Sequence, residues 1–228
     1  MELRRVHVMG LGRSGLAASR LLLEEGFRVV VSDAARTAEL EARADELRRR
    51  GAVVFLGGHT GALKVEVDEV VISPGIPLND PAVARRREQG TSVIGELELG
   101  WRWMKGTVAA VSGTNGKSTT VALLGEIFRE TERPAFTCGN IGNPVSAIAK
   151  RTTPDALVSV EVSSFQLDTI ELFKPDVATL LNVTPDHLER HAGFDNYKRA
   201  KARLWMNQTD DDHLIYNFDD PVVAELVQ

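Results

Sequence analysis

The sequence predicts an α/β protein built from two consecutive parallel-sheet units. Short apolar, β-branched runs alternate with helical stretches from one end to the other, the pattern of a sheet covered on both faces. The alternation restarts near residue 95, and each half carries one glycine-rich turn set after a strand and before a helix. No tandem repeat or low-complexity linker interrupts it.

In the first half, strands are expected near 5–9 (RVHVM), 27–32 (FRVVVS), 52–56 (AVVFL) and 68–72 (DEVVI). Helices are expected over 14–25 and 37–50, the second rich in Arg, Glu and Ala and stopped by Gly51. A short helix over 96–104 leads into strands near 107–111 (TVAAV), 156–162 (ALVSVEV), 176–181 (DVATLL) and 213–216 (HLIY). The domains are therefore set at 1–94 and 95–228. The closing stretch DDPVVAELVQ reads as the start of a helix, which suggests a fragment of a longer polypeptide.

Composition narrows the function. The 228 residues are 43% hydrophobic and 26% charged, enough apolar material for a core. Twenty-seven Lys and Arg against 32 Asp and Glu give a formal net charge of −5, which argues against a general nucleic-acid binder. Apolar runs such as VVV at 29–31 are far too short to span a bilayer, and the N-terminus lacks an apolar signal segment. The single cysteine, Cys138, excludes an internal disulfide and a cysteine-built metal site. A soluble, cytoplasmic, metabolite-handling protein is expected.

The first turn, Gly10-Leu11-Gly12-Arg13-Ser14-Gly15, has the G-x-G-x-x-G spacing in its proper place between strand and helix. Glycines let the backbone approach a ligand, and the helix N-terminus offers N–H groups to an anion. Asp33, at the end of the second strand, could accept hydrogen bonds from a nucleoside. This predicts a Rossmann-like nucleotide-binding domain and leaves the nucleotide open, NAD being one choice. The loop Ser73-Pro74-Gly75-Ile76-Pro77 leaves the fourth strand at the same edge and reads equally as a plain turn or a ligand contact.

The second turn, Gly113-Thr114-Asn115-Gly116-Lys117-Ser118-Thr119, predicts a P-loop ATPase-type unit. Backbone amides would cradle phosphate, Lys117 would reach terminal phosphoryl oxygens and the Ser118 hydroxyl would ligate Mg²⁺. Its glycine spacing is shorter than the general G-x-x-x-x-G-K, with Val111 where that pattern wants Gly. Glu161, ending an apolar strand, could complete the Mg²⁺ site with Ser118 or serve as a helix cap. From spacing alone, His187 is a loop histidine, Tyr197 a structural tyrosine and Lys201 a solvated helix lysine.

GTNGKST resembles the ATP site of the Mur ligases and the folylpolyglutamate synthases. Cys138-Gly139-Asn140-Ile141-Gly142, the run EVSSFQL at 161–167, LNVTPDHL at 181–188 and YKRAK at 197–201 narrow the resemblance to the Mur ligase family, in its D-glutamate-adding branch. Folylpolyglutamate synthases lack a preceding glycine-turn domain. The resemblance implies an ATP-dependent amide ligase of peptidoglycan precursor synthesis, joining D-glutamate to UDP-N-acetylmuramoyl-L-alanine through an acyl-phosphate. It implies Gly113, Thr114, Asn115, Gly116, Lys117, Ser118 and Thr119 at ATP, and Lys117, Glu161, His187 and Lys201 as catalytic. It implies two Mg²⁺ ions on Ser118, Glu161, His187 and a carbamylated Lys201.

The UDP-substrate would be held by Gly12, Arg13, Ser14, Asp33, Ser73, Gly75, Asn140, His187 and Tyr197. Arg13 departs from the uncharged residue expected at that place. In the family a further domain carries D-glutamate and part of the adenine site, so this chain is expected to hold substrate and phosphate without completing the reaction. Two other readings stand beside this one. The first turn alone fits a nicotinamide-dependent oxidoreductase, and a non-catalytic module that captures the UDP-sugar fits the same residues.

Overall fold

The computed structural model describes residues 4–228. Strands β1 (Arg5–Met9), β2 (Arg28–Asp33), β3 (Val53–Leu56), β4 (Glu69–Ile72) and β5 (Ser92–Gly95) form one all-parallel sheet in the order β3-β2-β1-β4-β5. The chain runs outward from β1 to β3, then returns to β4 and continues the other way. Such a reversal opens a crevice at the carboxyl ends of the two central strands. Val6, Val8, Val29, Val31 and Val71 are buried on one face of the sheet and Met9, Val30, Val70 and Ile72 on the other, which is why these strands read as continuous apolar runs. β5 is the strand the sequence does not announce, because Val93 and Ile94 alone carry its β signal.

His7 interrupts the apolar centre of β1 and is fully buried. Arg86 Nε donates to its Nδ1 at 3.2 Å, so the ring proton sits on Nε2 and is donated to Ser32 Oγ at 2.8 Å. The Ser32 hydroxyl then donates to His59 Nδ1 at 2.7 Å. Burial, reinforced by the charge of Arg86, pushes His7 down to about 3, so it stays neutral. A single hydrogen-bond direction therefore runs from Arg86 to His59.

The second unit repeats the logic with β6 (Thr107–Ser112), β7 (Ala135–Gly139), β8 (Leu157–Glu161), β9 (Val177–Leu180) and β10 (His213–Tyr216), all parallel in the order β10-β9-β6-β8-β7. β6 lies at the centre, and the ends of β8 and β9 flank it: Val111 registers with both Glu161 and Thr179. The helix Lys117–Arg129 follows β6 and packs closely at Gly125, where a Cβ would meet Thr137 Oγ1 at 2.3 Å. β7 escapes the sequence reading because Pro134 precedes a short run of mixed polarity that is only half buried.

The chain divides into these two units between Leu99 and Gly100, inside the helix Glu96–Trp101. The helix Phe194–Ala202 corrects one expectation. Its charged sequence suggests a solvated face, yet Tyr197, Ala200 and Lys201 are buried, the i, i+3, i+4 stripe of a core-facing helix. Tyr197 joins Leu180, Val183 and Val223 in the core of this unit.

Candidate functional site

At the first glycine turn, Gly10 adopts φ +89 and a Cβ on Gly15 would lie 1.8 Å from the Gly10 carbonyl oxygen. The turn and its helix therefore pack backbone to backbone, which only glycine permits at Gly15. Asp33 accepts from Leu11 N at 2.7 Å through one oxygen and from Ala35 N at 2.8 Å through the other. Ser73 Oγ donates to Gly10 O at 3.2 Å. Asp33 and Ser73 thus brace the turn from β2 and from the end of β4. Gly12, Arg13 and Gly75 lie exposed and Ser14 half-buried at the same edge of the sheet.

The helix after this turn, Arg13–Glu24, has no side-chain cap and no acidic residue in its first turn. The helix Lys117–Arg129 shares both features, with Gly116 at its N-cap in the left-handed region (φ +83). By contrast Thr37, Asp80 and Asp220 cap the helices that follow them. An uncapped helix start presents free N–H groups and a positive dipole end to an anion.

The second turn is held from several sides. Asn182 Oδ1 accepts from Thr114 N at 3.1 Å and Asn115 N at 2.8 Å, while its Nδ2 donates to Asn115 O at 3.0 Å. The Tyr197 hydroxyl lies 3.0 Å from Thr114 Oγ1, and Thr184 N donates to that oxygen at 3.0 Å. Lys117 Nζ folds back onto Gly113 O and Thr114 O, each at 2.9 Å.

Glu161, 1% exposed, ends β8 directly beneath the turn. Ser118 Oγ donates to its Oε2 at 2.7 Å and Asn140 Nδ2 to its Oε1 at 2.8 Å. Asn140 N also donates to Glu161 O at 2.9 Å. The carboxylate and the hydroxyl are hard oxygen donors of the kind Mg²⁺ selects, and phosphate oxygens would complete its shell, so the residues fit that ion.

Lys201 is 1% exposed and donates to Gly113 O at 2.7 Å. Burial, aided by the nearby charge of Lys117 and opposed by Asp186, holds its amine down at about 7 rather than the ordinary 10.5. Between those values the unfolded chain binds the extra proton, so the stability of this unit is expected to rise with pH from about 7 to about 10.5. Lys201→Met should flatten that rise, read as urea midpoints at neutral pH and at about pH 9.5. An unchanged slope in the variant contradicts the assignment.

The structure thus brings together Gly113 to Thr119, Asn140, Glu161, Tyr197 and Lys201. His187 stands apart from their hydrogen bonds. It is exposed, in the left-handed region (φ +50), 3.6 Å from Asp186 Oδ2 and with its ring 5.1 Å from that of Phe165. Among the described residues no three His, Cys, Asp or Glu side chains form a metal-binding group. Asn182 is the residue the sequence reading passed over. It sits inside the LNVTPDHL run, two residues past β9, and only the pairing of β9 with β6 brings it to the turn. Among the described residues no helix is long and apolar enough to cross a membrane.

Residues 111–228 match the Mur ligase middle domain and residues 4–95 the Mur ligase MurD-like N-terminal domain. A UDP-N-acetylmuramoylalanine--D-glutamate ligase of Pelotomaculum thermopropionicum is 44% identical over 223 residues, covering 98% of this chain and 49% of that one. One of the same name from Koribacter versatilis is 40% identical over 225 residues, covering 99% and 50%. The chain spans about half the length of these curated relatives. In fold it is similar to the crystal structure of UDP-N-acetylmuramate:L-alanyl-gamma-D-glutamyl-meso-diaminopimelate ligase from Neisseria meningitides, with a TM-score of 0.64 at 19% identity over 99% of this chain and 75% of that one.

Proposed function

The chain belongs to the Mur ligase family, and from that premise we propose that it binds UDP-N-acetylmuramoyl-L-alanine through its first unit and Mg²⁺·ATP through its second. It serves the ATP-dependent addition of D-glutamate in peptidoglycan precursor synthesis, a cytoplasmic reaction. The observation that carries this reading is the Ser118–Glu161 pair at 2.7 Å beneath an uncapped helix start.

A carboxylate is a poor acyl donor, because its leaving group would be oxide. The L-alanine carboxylate oxygen attacks the γ-phosphorus and ADP departs, leaving an acyl-phosphate. The D-glutamate amine then attacks the acyl carbon, expels phosphate and loses a proton. The amides of residues 116–119 hold the phosphates in line, and Lys117 leaves its loop carbonyls to neutralise charge on the transferring group. Ser118 and Glu161 would hold one Mg²⁺, with His187 and Lys201 at a second. Bound Mg²⁺ neutralises charge on the phosphoryl oxygens. Lys201 can serve there as a carbamate: its unprotonated amine adds to CO₂ and loses a proton, turning a donor into an anionic oxygen ligand. Asp33 and Ser73 keep the first turn shaped for the diphosphate. No residue of this chain is assigned to D-glutamate.

Calorimetric titration with UDP-N-acetylmuramoyl-L-alanine, alone and with an ATP analogue plus Mg²⁺, tests the reading. Binding of both ligands is expected. Measurable NADH binding with none for the UDP compound would replace it with the oxidoreductase reading, and UDP-sugar binding without nucleotide binding would leave only a capture module.

A further inference from the structure

The first unit contains a cavity of about 790 Å³ at the end of its sheet opposite the glycine turn. Its wall includes Arg5 and Arg28, the first residues of β1 and β2, and Asp68 and Thr91, which immediately precede β4 and β5. Arg4, Lys64 and Arg86 add three further cations, against which only Glu66 and Asp68 are acidic. In a chain whose net charge is −5, this is a concentration of the opposite sign.

The cations are poorly offset. Arg5 and Arg28 are register partners on adjoining strands, a like-charge juxtaposition that costs stability. Arg86 is 2% exposed, yet its guanidinium meets only neutral acceptors: His7 Nδ1, Val65 O at 2.9 Å, Ala62 O at 2.8 Å and Gln89 Oε1 at 3.2 Å. Among the described residues no carboxylate lies within ion-pair distance of Arg4, Arg28, Lys64 or Arg86. A guanidinium removed from water without a counter-charge is costly, and a bound anion relieves that cost.

The size suits a small metabolite. The wall has no aromatic ring on which a nucleobase could stack, while Glu66, Gln89 and Thr91 supply groups that hydrogen-bond hydroxyls. We propose that this cavity binds a small phosphate-bearing anion without a nucleobase, at a site separate from the two glycine turns.

The test is a titration of the isotope-labelled chain with inorganic phosphate and with ribose 5-phosphate, followed by amide NMR shifts. Saturable shifts are expected at residues 4–5, 28, 64–68 and 89–91. The double variant Arg28→Ala, Lys64→Ala should weaken that binding at least about tenfold, while Lys117→Ala, in the other unit, leaves it unchanged. Shifts confined to the two glycine turns, or equal affinity in the double variant, would overturn the proposal. Binding of citrate with phosphate silent would overturn the phosphate assignment.

Discussion

Glu161→Gln is expected to abolish most of the Mg²⁺ dependence of ATP-analogue binding while leaving the fold intact. The substitution is isosteric: the amide oxygen still accepts from the Ser118 hydroxyl that Glu161 now binds at 2.7 Å, and the new NH2 faces Asn140, whose side-chain amide can turn to accept from it. What disappears is the negative charge, the property by which a carboxylate outranks an amide as a Mg²⁺ ligand. The affinity gained on adding Mg²⁺ should fall by about ten- to a hundredfold, about 1.4–2.8 kcal/mol. Calorimetry with and without Mg²⁺ reads the effect, and the thermal midpoint confirms folding. If wild type and variant gain equally from Mg²⁺, Glu161 is only the end of a strand and the cap of its neighbours.

Gly139→Ala should be among the most damaging single-methyl changes in the second unit. Gly139 ends β7 at φ +111, and a Cβ there would lie 2.2 Å from Glu161 O and 3.0 Å from Glu161 N. Both contacts are backbone, so neither can rotate away. The left-handed conformation costs about 1–2 kcal/mol, and the overlap adds about 1–3 kcal/mol. The methyl also pushes on the strand end that aims Glu161 at Ser118. Gly142→Ala is the control, because Gly142 has φ +68 but open space around its Cβ position and should cost only the conformational part. Urea unfolding of both variants checks this. Equal losses would mean that the close approach of β7 and β8 is not what Gly139 serves.

Most of the sheet scaffold was legible because buried parallel strands announce themselves as β-branched runs. β1, β2 and β6 are of that kind. β5 and β7 were not, since an edge strand needs less apolar surface and theirs is spread over short, mixed sequences. The phosphate loop could be read from its glycines and lysine, and Glu161 from its place at a strand end. Burial could not be read for Lys201: a lysine among Lys198 and Arg199 carries the signature of a solvated face, and only the packing of its helix shows otherwise. Asn182 and the Arg86–His7–Ser32–His59 series were hidden for a related reason. Their partners lie on other strands and loops, and no local pattern encodes which side chain a polar group will meet.

One crystal structure of this chain with Mg²⁺ and a non-hydrolysable ATP analogue bears most directly on the account. The β- and γ-phosphates are expected against the amides of residues 116–119, with Mg²⁺ between Ser118 and Glu161 and Lys117 Nζ moved from the Gly113 and Thr114 carbonyls onto phosphate oxygen. Phosphates bound elsewhere, with Lys117 still on those carbonyls and Ser118 still donating to Glu161, would contradict it.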